Sequence, residues 1–560
     1  MPGTATAAQQ VQAEQVPAQQ IPAQQVPAQR VAARARGASR LVRPSGRGWS
    51  GRGRGYAGYV QAPAQWRGTT VQVCGLWPFA VGAGTPMVGV PLGQHIDTGA
   101  TLCCDPVSWF RRGGYISNPS AFVLGLPGLG KSTLVTRMLI GLAGFGVLPL
   151  VLGDLKPDYV AAIEALGGQV ITLGPGRGYL NVLDPGEAPD AAARLKAAGH
   201  TRQAEALLAD AHSKRLQVLA GLITIMRGEP VSDRETTILS RALTILDDRH
   251  PGVPVLADLL RVIQDASPEV RAVALDRGDD HRYQAITENL EASLIGLING
   301  GKLGDVFSRP TTNPMRFDAP VVYDVHSLEQ ASLDQQAATL LACWSAGFGT
   351  VTVANVLADA GLEPRRHYVV VLDELWRALR AGKGMVDRVD SLTRLNRSWG
   401  VGQIMVSHTM SDLLALPSEE DRMKARGFVE RSGLVFCGGL SGAEMPLLNA
   451  AVQMSQAEQN LLMSWRHPEG WNPEPETRDG TPAPGGTGGR AKKEPPPGRG
   501  KFIVKVGGRP GIPVQVKLTE AELSLKDSNH LWQDEPPVPA TVPGEVPGGV
   551  PGGASGAEGS

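Results

Sequence analysis

The sequence predicts an α/β fold in which a mainly parallel sheet carries an inserted all-helical subdomain. Seven short apolar runs, separated by helical patterns, are bounded by turn residues. This pattern is typical of parallel strands that are covered on both faces. A glycine-rich segment with a lysine and two hydroxyl residues follows the first run and precedes a helical pattern, which is the context of a phosphate-binding loop.

The seven apolar runs define the strands of the predicted sheet. Because helical segments separate them, right-handed crossovers join the runs and the strands lie parallel. The predicted strands cover residues 121–124, 148–152, 169–173, 321–325, 368–372, 403–407 and 434–437.

The connection between the third and fourth runs is too long for a single crossover helix. A capping box at Ser232 and Glu235 begins one helix there, and amphipathic patterns follow over 254–263 and 285–298. We therefore expect an all-helical insertion between two parts of the core. The predicted ranges are 121–186 and 308–472 for the core and 187–307 for the insertion.

Composition divides the remainder of the chain. A Pro/Gln pentapeptide repeat and an Arg/Gly stretch near the start cannot bury a core, and the last residues are rich in proline and glycine. The predicted units are a disordered tail at 1–63, a small β-rich lead-in at 64–120, a low-complexity linker at 473–500, a C-terminal β-hairpin at 501–533 and a disordered tail at 534–560.

Charge and cysteine content narrow the class of protein. The formal net charge of the 560 residues is zero, so no global field attracts the chain to nucleic acid or acidic lipid. Five cysteines show no metal-ligand spacing, which favours buried thiols in a reducing cytoplasm. Proline and glycine interrupt the apolar stretches at 73–92 and 138–152, so we expect buried segments there and no integral membrane segment.

Residues 125–133 match the pattern G-x-x-x-x-G-K-[ST] in full. Its glycines let backbone N–H groups turn toward the phosphates of a nucleotide, at the positive end of the following helix. Lys131 is expected to neutralise charge on the β- and γ-phosphates, and Ser132 to hold Mg²⁺. The predicted nucleotide contacts are Gly125, Pro127, Gly128, Gly130, Lys131, Ser132 and Thr133.

An acidic pair supplies the second half of the predicted site. Asp373 and Glu374 follow the apolar run at 368–372, where an α/β sheet places its ligands. Asp373 is expected to bind Mg²⁺ through water, and Glu374 to polarise the attacking water. The alternative is that the pair caps the next helix, because acids favour that end.

Other polar residues stand at or near strand ends. Asp154 follows the second run, and the charges of its segment (154–159) are expected to respond to the nucleotide or to contact a translocated partner, with an ordinary strand-to-helix turn as the alternative. Arg394 or Arg397 is expected to reach the γ-phosphate of a neighbouring subunit, with a solvated arginine face as the alternative. His408 is expected to sense phosphate at the end of the sixth run, or else to be structural.

These motifs, in this order, resemble those of the conjugative type IV secretion ATPases, the TraC-like motor class within the HerA/FtsK group. The resemblance covers about residues 91–518. It is carried by Pro91-Leu-Gly-Gln, Ile116-Ser-Asn-Pro, the loop at 125–133, Asp154-x-Lys156-x-Asp158-Tyr159, the helical insertion, Asp373-Glu374-Leu-Trp376, Arg394-x-x-Arg397 and Gly500-Lys-Phe-Ile-Val-Lys-Val.

The resemblance implies a RecA-like P-loop NTPase that forms a homohexamer and hydrolyses ATP with Mg²⁺ between subunits. It implies a cytoplasmic ring, peripheral at the inner face of the plasma membrane, that works with membrane channel components. Ser407-His408 stands where the family usually has a threonine–glutamine sensor. A DNA-translocating motor or coupling protein of the same group, with DNA as a direct partner, is the alternative. A nucleotide-binding scaffold without hydrolysis is a third.

Overall fold

A computed structural model describes most of the chain between residues 85 and 525. The predicted disordered tails at 1–63 and 534–560 lie outside the described residues, as do residues 64–84 and most of the linker predicted at 473–500. The domain boundaries stay predictions. The described residues are 85–300, 303, 305–380, 385–394, 400–466 and 497–525.

A single sheet of eleven strands organises the described residues, in the spatial order β2-β1-β11-β10-β9-β3-β8-β7-β4-β6-β5. In chain order the strands are β1 (Pro91–His95), β2 (Thr101–Cys103), β3 (Ser120–Leu124), β4 (Val147–Asp154), β5 (Gln169–Thr172), β6 (Val321–Asp324), β7 (His367–Leu372), β8 (Val401–Val406), β9 (Leu434–Cys437), β10 (Lys501–Lys505) and β11 (Ile512–Val516).

The stretch of the sheet from β9 to β5 is parallel throughout. Its strands overlap the seven apolar runs, so the prediction of a parallel sheet is confirmed. Successive side chains enter opposite layers: Phe122 and Leu124 belong to one core cluster, and Ala121 and Val123 belong to the other. This explains why most of the runs are continuously apolar and do not alternate with polar residues.

Four antiparallel strands extend one edge of this sheet. The predicted C-terminal hairpin is confirmed as β10 and β11, and β10 pairs with β9 while β11 pairs with β1. The lead-in strands β1 and β2 therefore continue the main sheet. Gly93 lies opposite Val516, and a Cβ atom on Gly93 would lie 1.9 Å from the carbonyl oxygen of Gln515. Only glycine fits at this crossing.

All helices of the predicted insertion lie between β5 and β6, and the predicted capping box at Ser232 and Glu235 is confirmed. In this region the described residues form the helices Ala188–Ala197, Thr201–Arg227, Asp233–Arg249, Leu256–Gln264, Pro268–Ala274 and Asp280–Ile298.

The remaining helices surround the sheet or connect its strands. They are Pro106–Ser108, Lys131–Gly144, Val160–Ala165, Leu333–Asp359, Leu375–Arg380, Met385–Arg394, Met410–Leu414, Glu419–Glu430, Met445–Ala451, Gln456–Ser464 and Glu520–Ser524.

Helix Leu333–Asp359 is long and strongly apolar. Among the described residues it is the one helix long and apolar enough to cross a membrane, and 61% of its most apolar window is buried inside the fold. It packs on β4 and on helix Thr201–Arg227 of the insertion. A central core helix has the same composition, so this observation is weak support for a membrane span.

An ion pair between buried Lys505 and half-buried Glu458 holds the C-terminal hairpin against the core. Lys505 of β10 is 2% exposed, and its Nζ lies 3.1 Å from Oε1 of Glu458 in helix Gln456–Ser464. The same carboxylate accepts the backbone N–H of Gly511. Burial alone would raise the pKa of Glu458, but its hydrogen bonds and the charge of Lys505 lower the pKa below its ordinary value.

We expect Glu458→Ala to lower the free energy of unfolding by about 3–5 kcal/mol, because Lys505 is left buried without its partner. Urea denaturation at pH 7 measures this loss. Glu420→Ala breaks an exposed pair with Lys424 (2.7 Å) and serves as the matched control, with an expected loss below about 1 kcal/mol.

The pH dependence of this loss follows from the lowered pKa of Glu458. The stabilisation is fully present above the unfolded pKa of about 4.5 and is lost as the pH falls through the folded pKa. The stabilities of the parent and of Glu458→Ala therefore converge in acid. A constant difference down to the lowest pH at which the protein folds would contradict the ion-pair explanation.

Candidate functional site

The phosphate loop connects the end of β3 to helix Lys131–Gly144. Gly128 and Gly130 have φ angles of +78° and +94°, in the left-handed region that residues with side chains rarely adopt. No acidic residue lies in the first turn of the helix. The first-turn N–H groups and the positive dipole end of this helix therefore favour an anion at this position.

Two neighbouring strands fix the beginning of the loop. The N–H of Gly125 donates to the carbonyl of His408 (3.0 Å), just after β8, and the N–H of Leu126 donates to the carbonyl of Gly439 (3.1 Å), just after β9. The carboxyl ends of these parallel strands lie at the same edge of the sheet as the loop. The loop conformation is thus determined by the sheet as well as by its glycines.

Lys131 lies beneath the loop with its side chain buried. Its Nζ donates to the carbonyl oxygens of Gly125 (2.7 Å) and Leu126 (3.3 Å). Burial lowers the pKa of Lys131 to about 8, while the charges of Asp373 and Glu374 act in the opposite direction. The ammonium group is therefore held at the loop and in the field of the acidic pair.

Glu374 receives partners from three different segments. Its Oε1 lies 3.2 Å from Nζ of Lys156, and its Oε2 accepts the indole N–H of Trp376 (2.6 Å) and lies 3.3 Å from Nε2 of His408. Burial alone would raise the pKa of Glu374, but the hydrogen bond and charge of His408 and the charge of Lys156 hold it well below its usual range. These contacts favour the ionised form of the buried side chain.

The backbone at Glu374 is also unusual. Its φ angle is +50°, a left-handed conformation that costs a residue with a side chain about 1 kcal/mol or more. Glu374 uses its carboxylate for bonds to other side chains, and its N–H donates to Oδ1 of Asp373 (2.7 Å). These contacts favour a functional site over the alternative that the pair caps helix Leu375–Arg380.

Asp373 lies beside a buried tyrosine. The hydroxyl of Tyr159 donates to Oδ2 of Asp373 (2.9 Å), and the Tyr159 side chain is fully buried. Burial, followed by the charge of Glu374, raises the pKa of Asp373, and the Tyr159 hydrogen bond opposes that shift. Tyr159 therefore holds the orientation of Asp373 and favours its ionised form.

Asp154 shapes the turn that carries Lys156 and Tyr159 into the site. Its two carboxylate oxygens accept the backbone N–H groups of Asp158 (3.2 Å) and Tyr159 (2.8 Å). Burial raises the pKa of Asp154 well above its ordinary value. Both carboxylate oxygens of Asp154 already accept hydrogen bonds within the turn. Asp154 therefore contributes to the site by fixing the positions of Lys156 and Tyr159.

The structure thus brings the phosphate loop, Asp154, Asp373, Glu374 and His408 to one edge of the sheet. Arg394 ends helix Met385–Arg394, and its side chain is not among those the structure describes; Arg397 lies outside the described residues.

Tyr159 and Trp376 contribute to the site but are not among the predicted site residues, and Lys156 is predicted only as one of the charges of the segment 154–159. Lys156 and Tyr159 belong to the motif after the second predicted strand, and Trp376 follows the acidic pair. Their positions close to predicted site residues are the sequence signal that could have identified them.

The residues present fit Mg²⁺ bound together with a nucleotide. Ser132 lies in the first turn of helix Lys131–Gly144 and supplies a hydroxyl, while Asp373 supplies carboxylate oxygens. Within the described ranges no group of three or more His, Cys, Asp or Glu residues could hold a metal ion. Mg²⁺ commonly needs only one or two protein oxygens beside phosphates and water, so this donor set is adequate.

Comparison with solved structures identifies a shared fold. VirB4 of Thermoanaerobacter pseudethanolicus aligns with a TM-score of 0.54 and 18% sequence identity, over 79% of this chain and 100% of VirB4. The plasmid coupling protein TrwB, in complex with the ATP analogue ADPNP, aligns with a TM-score of 0.43 and 12% identity, over 78% of this chain and 96% of TrwB. The TrwB alignment is too weak to support an argument.

The chain has a RecA-like P-loop NTPase fold. Its mainly parallel sheet, the loop at 125–133 and the VirB4 likeness agree on this class. No protein-family model matches the chain, and no curated protein matches it.

We expect Tyr159→Phe to lower the free energy of unfolding by about 1.5–3 kcal/mol at pH 7, because the hydrogen bond from a buried hydroxyl to a charged carboxylate is lost. Urea denaturation measures the loss. In the control Tyr283→Phe the lost bond runs to the neutral carbonyl of Ile263 (2.6 Å), and about 0.5–1.5 kcal/mol is expected. A smaller loss for Tyr159→Phe than for the control would contradict the role assigned to Tyr159.

Proposed function

We propose that this protein is an ATP-hydrolysing motor that energises a type IV secretion or conjugative DNA-transfer apparatus. One observation carries the proposal. Lys131 of a complete phosphate loop, half-buried Asp373 and buried Glu374 share one site at the carboxyl edge of the sheet, in a fold like that of VirB4.

The residues divide the work of phosphoanhydride hydrolysis. The loop N–H groups and Lys131 bind the phosphates and keep the terminal phosphate in place. Ser132 and Asp373 hold Mg²⁺, which when bound neutralises charge on the phosphate oxygens. Tyr159 keeps Asp373 oriented for this contact.

Glu374 orients the attacking water. Its lowered pKa makes it a weak base, which suits a loose phosphoryl-transfer transition state in which positioning matters more than early proton removal. His408 and Lys156 hold the carboxylate in place through opposite oxygens. His408 therefore supports Glu374 in this proposal, in addition to any contact with phosphate.

The remaining parts of the proposal concern assembly. A homohexameric ring places Arg394 or Arg397 against the γ-phosphate of the neighbouring subunit. The ring lies in the cytoplasm at the inner face of the plasma membrane and contacts membrane channel components. The zero net charge favours a secretion motor over a tight binder of bulk DNA.

Two substitutions test hydrolysis. We expect Lys131→Ala to lower kcat at least about 100-fold, as removal of a charge-stabilising group typically does, and to weaken nucleotide binding. Glu374→Gln keeps the binding of ATP but stalls hydrolysis, because the ionised carboxylate that orients water is lost. Phosphate release and equilibrium binding of labelled ATP measure these effects.

Parent-like hydrolysis in both variants would refute the proposed site. A parent protein that binds ATP without turning it over would instead favour the nucleotide-binding scaffold. Strong stimulation of the parent ATPase by double-stranded DNA would favour the DNA-translocating alternative, because a secretion motor is expected to be indifferent to DNA.

The in-trans arginine is tested by mixing subunits. We expect Arg394→Ala or Arg397→Ala to abolish hydrolysis in homogeneous rings. Mixing with Glu374→Gln subunits restores activity at interfaces where one subunit supplies the arginine and the other the glutamate. Hydrolysis at a series of mixing ratios measures this rescue, and its absence at every ratio would remove the in-trans role.

A further inference from the structure

The three residues before β10 adjoin the phosphate loop, which Gly500 contacts. This Gly-Arg-Gly segment (residues 498–500) falls at the end of the predicted linker. The N–H of Gly500 donates to the carbonyl of Leu129 (2.9 Å), the loop residue immediately before Gly130. The hairpin therefore joins the phosphate loop directly, from a part of the chain that is distant in sequence.

The backbone of the Gly-Arg-Gly segment is held on several sides. The carbonyl of Arg499 accepts from Nε2 of Gln515 (3.2 Å), and the carbonyl of Gly500 accepts the N–H of Val516 (2.8 Å). A Cβ atom on Gly498 would lie 2.1 Å from the carbonyl oxygen of Trp465. These contacts fix the point from which the Arg499 side chain extends.

The segment lies next to the end of the phosphate loop that precedes helix Lys131–Gly144. A Cβ atom on Gly130 would lie 3.5 Å from the backbone nitrogen of Gly500 and 3.8 Å from Cβ of Thr133. The Gly500 nitrogen and the Thr133 side chain therefore adjoin the same face of the loop. Backbone N–H groups of this loop cradle the α- and β-phosphates, whereas Lys131 reaches toward the γ-phosphate.

The Arg499 side chain is exposed, and no described residue forms an ion pair or a side-chain hydrogen bond with its guanidinium. A guanidinium beside a phosphate site forms charge-assisted, often bidentate, bonds with phosphate oxygens. We propose that Arg499 binds the α- and β-phosphates of a nucleoside di- or triphosphate within its own subunit. This inference rests on the proposed function, because it requires a nucleotide in the loop.

The inferred contact predicts a distinct pattern of ligand affinities. ADP and ATP share the α- and β-phosphates, so Arg499 strengthens the binding of both ligands. Arg394 and Arg397, by contrast, are proposed to act on the γ-phosphate, which only ATP carries. Loss of Arg499 should therefore weaken ADP and ATP equally and leave kcat at saturating ATP within about threefold of the parent, since the contact is the same before and during the reaction.

The experiment uses the full-length chain with Mg²⁺ and isothermal titration calorimetry. ADP and a non-hydrolysable ATP analogue are each titrated into the parent, Arg499→Ala and Arg499→Lys. We expect about a 10- to 100-fold loss of affinity for both ligands in Arg499→Ala, and a smaller loss in Arg499→Lys, which keeps the charge. Arg509→Ala is the matched control because Arg509 is an exposed arginine at the far end of the same hairpin; its affinities stay at the parent level.

The other possible results of these titrations distinguish failure of the Arg499 contact from failure of the proposed function. Unchanged affinities in Arg499→Ala, with a parent that binds both ligands, would overturn this inference and leave the proposed function intact. A parent that binds neither ligand would refute the proposed function itself. A loss for the ATP analogue alone would assign Arg499 to the γ-phosphate, and an equal loss in Arg509→Ala would indicate a general charge effect; either result overturns the contact.

Discussion

The ionised carboxylate of Glu374 connects the parts of the site. It lies after β7, pairs with Lys156 from the turn after β4, and meets His408 after β8. His408 in turn accepts the first N–H of the phosphate loop through its carbonyl. A buried charge is stable only when it is paired and hydrogen-bonded. The need to satisfy this charge therefore keeps four segments of the sheet edge in register.

Much of the fold could be predicted because its central strands are buried on both faces. Runs such as 121–124 and 368–372 are apolar at every position and end in turn residues, so local sequence contains the signal. The acidic pair could be placed for a related reason, since parallel strands end at one edge of a sheet. The capping box at Ser232 was predictable because its partners lie within one turn.

Contacts between distant segments could not be predicted in this way. The bond from Tyr159 to Asp373 and the pair of Lys156 with Glu374 join residues more than two hundred positions apart. The same holds for the Gly-Arg-Gly segment, whose composition resembles a linker although its backbone is bonded to the phosphate loop. Gly498 in this segment allows close packing against Trp465. Composition alone does not distinguish a glycine that is needed for close packing from one that makes a linker flexible.

The pairing of β11 with β1 has a consequence for biosynthesis. A ribosome delivers β1 early, yet its antiparallel neighbour is among the last described residues to emerge. Until then the nascent sheet exposes an unpaired strand at this edge, which is a template for association with other chains. Sequence-distant pairings also form slowly. A polypeptide released by premature termination before β10 would therefore be aggregation-prone and would lack part of the wall around its phosphate loop.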